Sequence, residues 1–409
     1  MLTRFFTNLK LMVNSTSYET EVNRIWHSLR FPKDVLDSLQ SNLSTVLKED
    51  TSPADLNSVE REAVKKIQEL TAKRNRNNIT RTEAYRQMYF KFPELHWAFL
   101  AHMVSRNGGW HMTDLKGDLL PHLFEEQEII HFFHSLERAN ALIFQDAYPQ
   151  LLLYEESVKR QKNLFHLLPA LYVSKFMRPV WEEFWQSTNS QLVTAALIIN
   201  EQNYIQKRVA ENPVFQRHVY GTLEFKSQTL LQLTQVVFPF FSYHKQSEAS
   251  LSPRLAGLIL EDFTDVKERI RVGMSLYSIL FGIQDVYEGA HRFAKQVPHT
   301  GSRADFWPHL FSKSIHQNGD YVKERMVAGT LKKDAPPFYS PELESVWPDQ
   351  PVAPPERYDW FTDLSVMEFF RPFKTPYSFD MTDDFCLGLN KVELAVLAKE
   401  HMEPDVRTR

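Results

Sequence analysis

Residues 92–118 read FPELHWAFLAHMVSRNGGWHMTDLKGD, and the fold turns on how this stretch is wound. At about 100° per residue, positions 94–106 spread Leu95, Trp97, Ala98, Phe99, Leu100, Ala101, Met103 and Val104 around the whole cylinder. No wide polar face remains for His96 or His102. A helix that is apolar on every side is a buried one, so the stretch predicts a helix at the centre of a packed core. Asn107-Gly108-Gly109 then supplies the stop expected where a chain leaves a helix through positive φ.

Outward from this segment the pattern stays helical. Positions 55–71 carry Leu56, Val59, Ala63, Val64, Ile67 and Leu70 on one side and charges on the other, an exposed amphipathic helix. Thr80 and Glu83 have capping-box spacing for a helix that runs to Pro93, itself suited to the first turn of the next. Apolar periodicity predicts further helices over 125–148, with Pro149 as the break, and over 164–176, 180–209, 214–237 and 264–297. Twelve glycines, none in a strand-to-helix phosphate loop, and no regular period-2 runs argue against dinucleotide and P-loop folds. The expected class is all-α: a multi-helix bundle around a buried central helix.

Beyond His299 the character changes. Positions 334–360 crowd seven prolines among Phe338, Tyr339, Trp347 and Tyr358, which excludes regular helix. The expectation is an extended strap pinned by its aromatic rings, with short helices over 359–370 and 391–401 docked behind it. The organisation expected is a tail over 1–20, a helical core over 21–299 and an appended strap over 300–409.

The 409 residues, 43% of them hydrophobic, suffice to fill a core. A net charge of −4 and a pI near 6.4 provide no basic field for nucleic acid. The run Lys73, Arg74, Arg76, Arg81 and Arg86 reads as a solvated surface patch. One cysteine, Cys386, excludes an intrachain disulfide framework and any thiolate metal cluster within the chain, pointing to the reducing cytoplasm. Its acidic surroundings raise rather than lower its pKa, which disfavours a cysteine nucleophile. The N-terminus lacks a continuous apolar signal region, and the longest apolar runs fall short of the roughly 18–20 residues that span a bilayer.

Candidate functional groups concentrate at the helix end. Arg106, Asn107, His111 and Asp114 place a cation, an amide, an imidazole and an acid where a buried helix exits, as a pocket mouth requires. His96 and His102 are each read either as acid–base groups or as core histidines satisfied by hydrogen bonds. Asn140 lies about 40° from the centre of its helix's apolar face, where an amide needs a partner. Asp146 follows it, and the polar cluster 200–204 interrupts an otherwise apolar helix. A separate reading is a di-iron or di-manganese carboxylate site, since Glu128/His131 and Glu288/His291 are both Glu-x-x-His pairs. In that reading His291 shares an apolar arc, whereas His131 falls on the wet side of its helix.

At NNITRTEAY (77–85), ELHWAFLAHMVSRNGGWHMTDLKG (94–117), ERANALIFQDAYPQLLLYEES (137–157) and INEQNYIQKRV (199–209), the chain resembles the YppC-like family of Gram-positive bacilli, a domain of unknown function. The likeness runs over about 75–297. It implies a cytosolic bacterial protein and carries no activity or catalytic residue to this chain. The residues themselves leave two readings: a helical enzyme or small-molecule binder whose pocket adjoins the end of helix 94–106, or a non-catalytic protein whose tail or N-terminal helices engage a protein partner.

Overall fold

The computed structural model describes residues 28–29, 31–49, 56–221, 234–242, 252–316, 325–327 and 329–402. The expected tail, position 55 and most of the second half of the expected 214–237 helix lie outside these residues. The described chain is mostly helical, with a few short strands. Its long helices are α1 Lys33–Leu47, α2 Ser58–Arg74, α3 Asn78–Lys91, α4 His96–Asp114, α5 Glu126–Arg160, α6 Met177–Ser187, α7 Ser190–Ile205, α8 Val266–Gly282, α9 Gln284–Gln296 and α10 Thr382–Met402. Strands β1 Gln235–Phe240 and β2 Arg254–Ile259 pair antiparallel, Gln235 opposite Ile259 and Phe240 opposite Arg254. Among the described residues, no helix is long and apolar enough to cross a membrane.

Helix α4 packs on α3, α5, α7, α8 and β1. Trp97, Phe99, Met103, Arg106, Trp110 and Met112 are all buried along it. It does not stop at Gly108-Gly109 but continues to Asp114. The glycines answer to packing instead of termination. A Cβ on Gly108 would lie 3.2 Å from Asn140 Nδ2, and one on Gly109 would lie 2.4 Å from Asn78 Oδ1 and 2.8 Å from His299 Nε2. Close approach of neighbouring elements is the other use of a residue without a side chain.

Other boundaries differ for local reasons. Helix α5 runs through the buried Pro149 to Arg160 and ends at Gln161, whose φ is 51°. Its packed apolar face outweighs the one backbone hydrogen bond that the proline removes. The expected 180–209 helix is two helices, because Thr188 turns left-handed and Asn189 caps the second by accepting the Leu192 N–H. The 264–297 helix is likewise broken at Ile283, which is extended. Helix α3 is capped three residues earlier than expected, by Asn77, with Thr80 closing the box. Over 164–176 only Phe165–Leu171 is helical, as a 3-10 turn. Most plainly, the QVVFPF run at the end of the expected 214–237 helix is strand β1; β-branched and aromatic residues suit a pleated, half-buried surface.

The proline-rich segment lies on the helices through its aromatic rings. Trp347 stacks on Phe133 at 3.9 Å and donates to the Met112 carbonyl at 2.7 Å. Trp360 Nε1–H donates to Asn200 Oδ1 at 2.9 Å, and Gln145 Nε2 donates to the Ala353 carbonyl at 2.8 Å. The expected 359–370 helix is a 3-10 stretch over Leu364–Phe370, and the C-terminal helix begins at Thr382, upstream of the expected 391.

Candidate functional site

Two helical faces define a cavity of about 290 Å³. Trp97, Leu100, Ala101, Val104, Gly108, His111 and Leu115 recur at three- and four-residue steps along one face of α4. Phe132, Leu136, Ala139, Asn140 and Ile143 do the same on α5. Glu201 and Ile205 from α7, Gly273 and Leu276 from α8, and Gln235 and Val236 from β1 complete the walls. On these faces Ala101 and Ala139 present only a methyl group to the space, whereas Gly108 and Gly273 line it where Asn140 and Ile198 crowd the position a Cβ would take. Packed interiors hold few voids larger than a water molecule, whereas ligand pockets begin near 300 Å³; this cavity belongs with the second group.

Most of the polar wall is committed to holding the wall together. Asn107 pairs with β1 as another strand would: Nδ2 donates to the Gln235 carbonyl and Oδ1 accepts the Val237 N–H, both at 3.2 Å. His111 Nε2–H donates to the same carbonyl at 2.9 Å. Burial, reinforced by the nearby Arg303, lowers the His111 pKa, keeping the ring neutral. Asn140 Nδ2 donates to the Leu136 carbonyl at 2.8 Å.

Glu201 differs. Trp97 Nε1–H and Gln202 Nε2–H each donate to one of its oxygens at 3.1 Å, and among the described residues no cation pairs with it. Burial, with a smaller contribution from Asp146, pushes its carboxyl up to about 8.

Asn107, His111 and Asn140 are therefore the expected site residues that share the cavity; the others lie elsewhere. His96 stacks on Phe281 at 4.1 Å and hydrogen-bonds the Tyr277 hydroxyl. His102 Nδ1–H donates to the Thr82 carbonyl, and burial pushes its pKa down to about 3. Arg106 is wholly buried and donates to the Val297 and Pro298 carbonyls. Asp114 forms a two-oxygen ion pair with Arg303 and lines a smaller pocket of about 70 Å³ that shares His111, Gln235 and Leu120 with the main cavity. Asp146 sits in a buried network with Gln150 and Asn200, which Trp181 and Trp360 extend. Burial pushes its carboxyl up to about 7.

The Glu-x-x-His pairs do not meet. Glu128 caps α5 by accepting the Glu125 N–H, and His131 stacks on His218. Glu288 accepts from Gln284, while His291 packs among Phe90, Tyr89 and Tyr287. Among the described residues no three carboxylate, imidazole or thiol groups come together in a manner that would hold a metal ion. Cys386 is buried in α10, and burial, with Asp383 nearby, pushes its thiol up to about 12.

Sequence reasoning noted the 200–204 cluster without assigning Glu201 to the site. The available signal was an acid one turn before the apolar Tyr204-Ile205. Arg81 is a clearer correction. Read as part of a solvated basic patch, it is fully buried, pairs through both carboxylate oxygens with Glu137 of α5 and donates to Asn75 Oδ1 at 3.0 Å.

Fold and cavity together define a mostly helical protein with a mainly apolar pocket among its helices. The chain belongs to the family described as "Protein of unknown function (DUF2515)", whose sequence model spans residues 73–384. It is 36% identical over 333 residues to "Uncharacterized protein YppC" of Bacillus subtilis (strain 168), an alignment covering 80% of this chain and 93% of that one. No solved structure matches the chain.

Proposed function

We propose that the chain binds a small, mainly apolar molecule in the cavity between α4, α5 and α7. The observation that carries this reading is a partly open cavity of about 290 Å³ whose walls are apolar save for a few side chains, Glu201 foremost. An empty cavity forfeits dispersion contacts along its lining, and each Å³ costs about 24 cal/mol. A fold that keeps small residues in the lining on α4 and α5 gives up stability unless a ligand fills the space. Residues 21–299, with α4 at their centre, act in this reading as the binding body and 300–409 as a strap that secures it. The setting is the cytoplasm, supported by a single, buried cysteine.

The experiment is native mass spectrometry of untagged protein compared with its denatured mass. The expected result is an organic mass excess in the wild type that is lost in Ala139→Phe, a substitution that fills the cavity from α5. Identical native and denatured masses, together with a destabilised Ala139→Phe, would mean that no ligand is held and that the space has no room for the added ring.

A further inference from the structure

The chemistry of the ligand follows from the polar groups the cavity wall presents, among them the hydroxyl of Thr234, which has no hydrogen-bond partner among the described residues, and the carboxyl of Glu201. Asn107, His111 and Asn140 each direct a hydrogen-bond donor to a protein carbonyl. None of them has a charge to offer an anion. The carboxyl of Glu201 is the one acidic side chain lining the space among the described residues, and the groups that touch it, Trp97 and Gln202, are neutral donors. A carboxylate has about four acceptor positions, so room for a further donor remains.

Among the described residues no Lys or Arg lines the cavity. Asp146 of α5 acts on Glu201 as a like charge, and no Lys or Arg offsets it by pairing with Glu201 among the described residues. Tyr85 and Trp97, in edge contact at 5.4 Å, line the cavity as well. Aromatic rings beside a carboxylate are what a desolvated ammonium group seeks, through its charge and through attraction to the ring quadrupole. An anionic head group would meet Glu201 with no Lys or Arg in the lining, among the described residues, to compensate. A neutral one would leave a carboxyl in an apolar wall without a counter-ion.

Resting on the cavity reading above, we propose that the ligand is an apolar amine, bound as its ammonium form with Glu201 as counter-ion and its hydrocarbon body along the α4–α5 walls. Glu201 is then the residue that determines specificity, and the rest of the cavity supplies affinity without selecting the head group. Burial holds the empty site's carboxyl largely protonated near neutral pH, and the incoming cation replaces that proton.

The test is a head-group comparison at constant chain length on the full protein: n-octylamine, n-octanol and n-octanoate, read by titration calorimetry. The amine is expected to bind most tightly, the carboxylate least. Glu201→Gln should weaken octylamine by about tenfold or more while changing octanol far less, and Glu201→Asp, which keeps the charge but withdraws it by one methylene, should fall between. Should Glu201→Gln fail to fold, the Glu201→Asp comparison and the three wild-type affinities decide alone. Equal affinities for amine and alcohol, insensitive to residue 201, would overturn the amine assignment and leave the cavity reading standing. Preference for octanoate would also overturn it. Failure of all three to bind the wild type would remove both.

Discussion

The buried charges show where single residues matter most. Arg81 and Glu137 are paired out of water, with side-chain exposures of 1% and 6%. Removing one partner strands the other, and Glu137→Ala should cost about 3–5 kcal/mol. Replacing both by apolar residues, Arg81→Met with Glu137→Leu, should recover most of that loss in urea unfolding. A double variant no better than the single would show that the pair itself contributes the stability. Asp146 gives a pH prediction. Burial pushes its carboxyl up to about 7 in the fold, against 3.8 for an aspartate in water. Between those values the folded chain keeps a proton that the unfolded chain releases, so stability falls as pH rises through the window. Asp146→Asn removes this term. Relative to the variant, the wild type should lose roughly 2 kcal/mol between pH 5.5 and 8.5, measured by denaturation at both values; parallel curves would contradict the assignment. Neither Arg81 nor Asp146 declares its burial in the sequence. Arg81 sits in a basic run that resembles ordinary surface, and its partner lies 56 residues away.

Among the elements, α4 was legible as an apolar cylinder, but its end was not. Gly108-Gly109 carries the same letters whether it stops a helix or lets Asn78, Asn140 and His299 approach one. Substitution tells the two apart. Gly109→Ala forces a methyl into Asn78 and should cost about 1–3 kcal/mol. Gly108→Ala needs only a small shift of the Asn140 amide and gains helix propensity, so its change should stay within about 1 kcal/mol. Equal, small effects at both positions would restore the glycines to a terminating role. The β1–β2 hairpin was illegible for a related reason. A short apolar run has no period by which to choose strand over buried helix, and only the pairing of Gln235–Phe240 with Arg254–Ile259 settles it. Asn140 was readable as an amide needing a partner from its place on the helical wheel. That the partners include the Leu136 carbonyl of its own helix depends on side-chain geometry no wheel contains.

At the scale of the whole molecule, the strap closes over helices distant in sequence. Trp347 joins Phe133 of α5 to the Met112 carbonyl of α4. Trp347→Ala should therefore lower stability by about 2–4 kcal/mol in thermal or urea unfolding, although the residue is far in sequence from both helices it joins. An unchanged melting temperature would mean that the strap does not secure the helices. The cavity is also a property of the whole. Its walls include α4, α5, α7, α8 and β1, and the stripes that α4 and α5 contribute are mainly apolar and would pass for ordinary core when read alone. The sequence displays the stripes. It does not display that Ala101 of α4 and Ala139 of α5 line one cavity. The most direct test of that cavity is a fluorescence titration with the neutral apolar dye N-phenyl-1-naphthylamine, on the wild type and on Ala101→Trp and Ala139→Phe variants whose helix content is unchanged by circular dichroism. Saturable enhancement with one site per chain in the wild type, lost in both filled variants, is the predicted result. Equal, non-saturating enhancement in all three proteins would contradict a ligand cavity among the helices.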